Sequence, residues 1–182
     1  MFIYRPPSTV YRRRKERVNP VEILSGSRTL TKQPNSKHCF VCGMENPHGL
    51  QLSFYEQESG EVVAETIVPE RYQGYPGVVH GGIVAAMLDE VAMRAAMVAD
   101  HNRFMVTAKM TLRYRKQIPV EAPLRFIGRI ERAGGRTTTA HGEIRLPDGS
   151  VGAEVEAMMV DYPEELANEA GLEQLGWKVY PD

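Results

Sequence analysis

The chain has 182 residues, 42% apolar and 25% charged, which suits one domain with a sizeable core and disfavours wholesale disorder. Its formal net charge of -1 is unevenly spread: residues 1–37 hold nine Lys/Arg against two Asp/Glu, and the remainder is acidic. A basic nucleic-acid-binding body is therefore disfavoured, and no apolar run is long enough to span a bilayer.

Residues 1–37 read as a basic N-terminal arm, partly extended, with four prolines and the run Arg12-Arg13-Arg14-Lys15. The start shows no apolar stretch ahead of a cleavage site, so no secretory signal is expected. A solvated tail is the plain alternative to an arm that meets a partner subunit or an anionic ligand. The body is expected over 38–162. Gly49–Tyr55 and Glu61–Val68 flank the turn Glu58-Ser59-Gly60 as a hairpin. A loop rich in Gly and Pro leads to His80-Gly81-Gly82. Ile83–Val98 then predicts a helix of sixteen residues, apolar nearly all round and so buried on most sides. Phe104–Tyr114, Leu124–Ile130, Arg136–Leu146 and Val151–Val160 follow as strands with short links, which predicts a four-strand meander. Pro163–Leu175 predicts a helix within a C-terminal tail of 163–182. The order predicts an α+β fold, a curved antiparallel sheet wrapped around a long central helix.

Chemistry concentrates around that helix. Gly81 and Gly82 stand at its N-terminus, where unpaired N–H groups and the positive end of the dipole can meet a carbonyl oxygen. The glycines also suit a tight turn for geometry alone. Asp89 sits among alanines and methionine at helical spacing, where a carboxylate is rare unless paired or functional. Glu90 is a weaker candidate, since Arg94 lies four residues on and can pair with it. His80 can cap the helix or support the site, and Thr107 lies on the strand that follows. Val78, Val79, Ile83, Met87 and Met97 are candidates to line an acyl slot, although methionines at this spacing also fit a core. Arg113, Arg115 and Lys116 are candidate partners for phosphates.

The stretches CFVCGMENPHGL (39–50), HGGIVAAMLDE (80–90) and VTAKMTLRYRKQIPV (106–120) resemble the hotdog-fold thioesterases, in particular the phenylacetate-degradation type, over roughly residues 38–161. The resemblance implies a hotdog fold and hydrolysis of acyl-CoA to free acid and coenzyme A without a cofactor. It implies a homodimer with active sites at the interface, or a tetramer. Gly82 or Gly81 would present an amide to the thioester carbonyl. Asp89, reaching across the interface, would act as nucleophile or general base, with Thr107 positioning water and His80 supporting the site. The turn Gly134-Gly135-Arg136 resembles a phosphate-side turn of such enzymes. The alternative is a noncatalytic hotdog protein that binds an acyl ligand. A hotdog dehydratase would want a D-x4-H spacing, which does not follow Asp89.

Cys39 and Cys42 make no disulfide framework, so a reducing, cytoplasmic setting is the expectation. Their C-x2-C spacing reads as a turn over the substrate entrance without a metal. A zinc site completed by His38 and His48 is the alternative.

Overall fold

The alternation of apolar residues from Met105 onward builds long strands in the computed structural model, which describes residues 30–162 and 169–181. The expected arm up to residue 29 and the expected helix start at 163–168 lie outside the described residues. In chain order come β1 (Thr31–Lys32), β2 (Tyr55–Glu56), β3 (Val62–Ile67), a short 3-10 turn, β4 (Gln73–Tyr75) and β5 (Val78–Val79). The central helix α1 (Gly81–Ala96) follows, then β6 (Met105–Tyr114), β7 (Pro123–Ala133), β8 (Thr137–Arg145), β9 (Val151–Asp161) and α2 (Glu169–Leu175).

The main sheet is antiparallel with the order β1-β2-β3-β7-β8-β9-β6, and β4 and β5 form a separate small pair. The meander is therefore one strand shorter than expected. β7, β8 and β9 are joined in sequence, but β6 pairs with β9 at the far edge. β3 occupies the place beside β7, through six register pairs from Val62–Gly128 to Ile67–Pro123. The link after β6 carries the chain between edges and is pinned on the way. Val79 N–H donates to Ile118 O at 2.8 Å and Val120 N–H to Gly77 O at 3.1 Å.

The sheet curves around α1. Val84, Met87, Leu88, Val91 and Ala92 of the helix are buried with Phe126, Ile144, Val155 and Ala157 of the strands. The close approach depends on Gly128, where a Cβ would sit 2.2 Å from the carbonyl oxygen of Val91. Gly142 faces Gly128 across the β7–β8 ladder, and together they make the hollow for this helical turn. On the opposite side of α1, Ala85, Ala86, Asp89 and Met93 are only half-buried. Among the described residues the helix is thus covered on one side, less completely than its apolarity predicts.

Two further departures position side chains. The β6–β9 register slips between Thr107 and Lys109, so Ala108 is an extra residue. Strict alternation would put Thr107 with Lys109 and Arg113; the bulge puts it with Met110 and Leu112, which pack toward the helix. The sheet also begins ahead of His38. β1 pairs with β2, and Gln33, Asn35 and Ser36 are buried, with Asn35 Nδ2 donating to the carbonyls of Cys42 and Leu52, each at 2.7 Å.

Candidate active site

The turn into α1 is shaped by His80. Its backbone is extended (φ -58°, ψ 134°), and its Nδ1 accepts the Gly82 N–H at 3.0 Å as an N-cap. The His80 carbonyl accepts the N–H groups of Ile83 and Val84 at 2.9 and 3.1 Å. Among the described residues, the Gly81 N–H is then the one amide of the first four that has no acceptor. Tyr114 Oη donates to the Gly81 carbonyl at 2.9 Å and fixes that peptide from the strand side. A cleft of about 400 Å³ opens here, lined by Val79, Gly81, Val84, Tyr114, Arg115 and Lys116 among others. Arg115 also pairs with Glu154 at 2.6 Å, and Lys116 Nζ donates to Ser150 Oγ at 2.7 Å. Both cations therefore stand at the rim of a cleft whose floor is the positive end of a helix.

Asp89 lies on the half-buried stripe of α1. Thr107 Oγ1 donates to Asp89 Oδ1 at 2.6 Å, a charge-assisted bond made available by the bulge at Ala108. No donor among the described residues reaches Oδ2, so one carboxylate oxygen is held and the other is open. Eight residues separate Gly81 from Asp89, which is about 12 Å along a helix. The open amide and the carboxylate of one chain thus belong to different places.

The other expected residues divide between regions. Val78 and Val79 line the cleft, while Ile83 is half-buried against the core. Met87 is wholly buried, and Met97 lines a different cavity. Arg113 is exposed. Gly135 and Arg136 lie at the opposite end of the sheet. There Arg103 donates to the Gly135 carbonyl at 3.2 Å and Asp161 N–H to the Arg136 carbonyl at 3.1 Å. Tyr114 pairs with Ala153 and Thr137 with Val160, so the two ends of β9 stand roughly 20 Å apart. Within one chain this turn does not reach the cleft.

Comparison with known proteins bears on this geometry. The thioesterase superfamily model matches residues 76–153, the segment from the cleft loop into β9. A solved thioesterase superfamily protein is 34% identical, with a TM-score of 0.63, covering 69% of this chain and 61% of that one. The chain has the hotdog fold, and its segment 76–153 is similar to the thioesterase superfamily. Acyl-coenzyme A thioesterase THEM4 of Rattus norvegicus is 26% identical over 106 residues, 58% of this chain and 45% of the relative. The PaaI protein of the E. coli phenylacetic acid degradation operon is 15% identical with a TM-score of 0.56, covering 62% of this chain and 80% of that one, and so shares the fold. The chain spans about half the length of the rat relative.

The other flank of this hotdog helix carries a second polar cluster. Glu90 does not face the cleft. It is 8% exposed and accepts from Arg94 Nε at 2.9 Å, while Arg94 is itself 1% exposed. The guanidinium lies between the rings of Phe54 (4.8 Å) and Trp177 (4.9 Å), and Nη1 donates to the Pro34 carbonyl. The i,i+4 pair expected from spacing is thus a buried one. Cys39 and Cys42 come against it rather than over the cleft, and their ligand atoms cluster with Glu90, not with His38 or His48. A hydrogen bond from the Cys42 thiol lowers the Cys39 thiol to about 7, and the same bond with burial pushes Cys42 up to about 12. Burial raises Glu90 to about 7 against the pull of Arg94. Tyr114 and this cluster are the features that sequence reasoning missed. The residue types were visible, but nothing in their spacing showed which would meet.

Proposed function

We propose that the chain hydrolyses acyl thioesters, coenzyme A esters foremost, at sites shared between two copies. The observation that carries this reading is the Thr107–Asp89 bond, which holds one carboxylate oxygen and leaves the other for chemistry. A thioester carbonyl seated in the cleft would place its oxygen on the Gly81 N–H and the helix dipole, where the tetrahedral intermediate gains negative charge. Asp89 Oδ2 then either attacks the carbonyl carbon or takes a proton from the water that does. The C–S bond breaks, and the leaving thiolate needs little acid assistance because its pKa is near that of a free thiol. Attack by water gives the free acid directly, whereas attack by Asp89 leaves a mixed anhydride that a water then cleaves to the acid and the free carboxylate. Arg115 and Lys116 suit the phosphates of coenzyme A, and the related rat protein is an acyl-coenzyme A thioesterase by name.

Two copies follow from distance. A reacting carbonyl needs its oxygen about 3 Å from the amide and its carbon about 3–3.5 Å from the nucleophile. The roughly 12 Å between Gly81 and Asp89 on one helix exceeds that reach. The amide of one copy and the Asp89 of another can meet if the half-buried stripes of two α1 helices face each other. The edge of β6, which no strand among the described residues pairs, offers a second contact.

Thiol release from a panel of acyl-CoAs, acetyl to palmitoyl plus phenylacetyl and benzoyl, tests the activity beside Asp89→Asn. Sharing is tested with Gly81→Pro, which removes the N–H at a first helical position where proline is tolerated. Each variant alone should be inactive, and a mixed dimer should regain activity, because one of its sites is intact. No release from the folded wild-type dimer, or no recovery on mixing, would overturn the respective half of the reading. In single turnover in oxygen-18 water, label enters Asp89 only if the carboxylate attacks directly.

A further inference from the structure

We propose that Cys39, Cys42 and Glu90 form a divalent-metal site suited to zinc, with two thiolates and one carboxylate as ligands and a fourth position facing the adjoining cavity. One ligand atom from each residue lies within 4.8 Å of the others. The Cys39–Glu90 separation has the size that the metal needs. Zn–S bonds of about 2.3 Å and Zn–O bonds of about 2.0–2.2 Å at a tetrahedral angle put sulfur and oxygen about 3.6 Å apart. Cys39 Sγ and Glu90 Oε2 are 3.7 Å apart, long for a hydrogen bond and close to that tetrahedral edge.

The surrounding backbone is arranged as a metal knuckle. Val41 N–H donates to Cys39 Sγ at 3.3 Å, and Gly43 N–H closes the turn on the Cys39 carbonyl at 2.9 Å. A Cβ at Gly43 would fall 2.3 Å from that carbonyl oxygen, so the tight turn that aims both sulfurs one way requires glycine. Ser36 Oγ lies 3.4 Å from Cys42 Sγ and adds a polar neighbour to the second sulfur. Arg94 occupies Glu90 Oε1 at 2.9 Å, leaving Oε2 toward the sulfurs; such outer contacts orient metal ligands.

Charge argues the same way. Two thiolates and a carboxylate carry three negative charges, and a divalent cation with Arg94 supplies three positive ones, so the loaded cluster is neutral in a buried setting. The three residues line a cavity of about 400 Å³ with Met93, Phe104 and Trp177, which leaves room for water at the fourth position. Bound there, the metal would fasten the 36–43 turn to the middle of α1, on the flank away from Asp89.

The test uses the full chain, reduced by a phosphine, stripped with a chelator and titrated with cobalt(II) without oxygen. The expected result is a sulfur-to-cobalt charge-transfer band with tetrahedral visible bands, saturating near one cobalt per chain and displaced by zinc. Cys42→Ser should weaken the charge-transfer band, Glu90→Gln should lower affinity roughly tenfold or more, and Asp89→Asn should leave the spectrum intact. No band in the reduced protein overturns the proposal, whether or not the cysteines join as a disulfide on oxidation. Unchanged affinity in Glu90→Gln, or loss of the spectrum in Asp89→Asn, overturns it equally. X-ray absorption on the zinc-loaded wild type needs no variant that must fold. Two sulfurs at about 2.3 Å with nitrogen or oxygen at about 2.0 Å are expected, and four sulfurs or none would refute the site.

Discussion

Asp89 and Glu90 are neighbours on α1, bear the same functional group, and live in opposite circumstances. Asp89 is half-buried, held at one oxygen by the Thr107 hydroxyl and, among the described residues, met by no donor at the other. Glu90 is buried against a guanidinium and two thiols. One residue step turns a helix by about 100°, and here that step separates a flank that the described residues leave half-buried from one covered by the chain's own 36–43 turn. A carboxylate with an open oxygen and access to substrate is free to react. A carboxylate enclosed by its counter-charge supports the structure around it.

The comparison breaks most sharply if the two carboxylates prove interchangeable. Asp89→Asn should lower turnover of the best acyl-CoA by a hundred- to ten-thousandfold, the range for losing a positioned base, and barely move the urea midpoint. Arg94→Leu should act in reverse. It leaves Glu90 without its counter-charge and should remove about 3–5 kcal/mol of stability in urea titrations, by far the larger structural effect of the two.

Titration sharpens the contrast further. Glu90, faced by Arg94, Cys39 and Cys42, keeps its proton to about 7 in the folded chain because burial disfavours its charge, against an ordinary value of 4.5. The folded state then binds more protons than the unfolded state between these values, so metal-free protein should lose stability as pH rises from about 4.5 to about 7. The full shift corresponds to about 3 kcal/mol as an upper bound, and Glu90→Gln should flatten that limb of the stability–pH curve. The smallest effect belongs to Thr107→Val. Losing one hydrogen bond to a charged group should cost roughly tenfold in kcat, because water can replace the hydroxyl at a half-buried site. A drop as large as that of Asp89→Asn would mean that Thr107 does more than orient the carboxylate.

Local pattern was enough for much of this. The helix was legible from sixteen residues without Gly or Pro, and the strands from alternation bounded by Gly and Pro turns, because both signals repeat along the chain. Asp89 stood out for a similar reason: a carboxylate among alanines and methionine contradicts its own neighbourhood.

Other features depended on contacts between distant segments. The bulge at Ala108 overturns simple alternation and delivers Thr107 to Asp89, yet it arises from pairing with β9 about fifty residues later. β3 occupies the edge of β7, and β6 lies beside β9 instead. The Cys39–Glu90 meeting joins a turn to a helix fifty-one residues away. Spacing identified Glu90 and Arg94 as a pair but said nothing about burial, which required Trp177 and Phe54 to close over the guanidinium. The sequence by itself determined the elements and the unusual residues within them, because propensity and periodicity are properties of neighbours. Only the tertiary structure decided which flank of α1 is sealed and which stays open, because burial is set by whichever segment packs there.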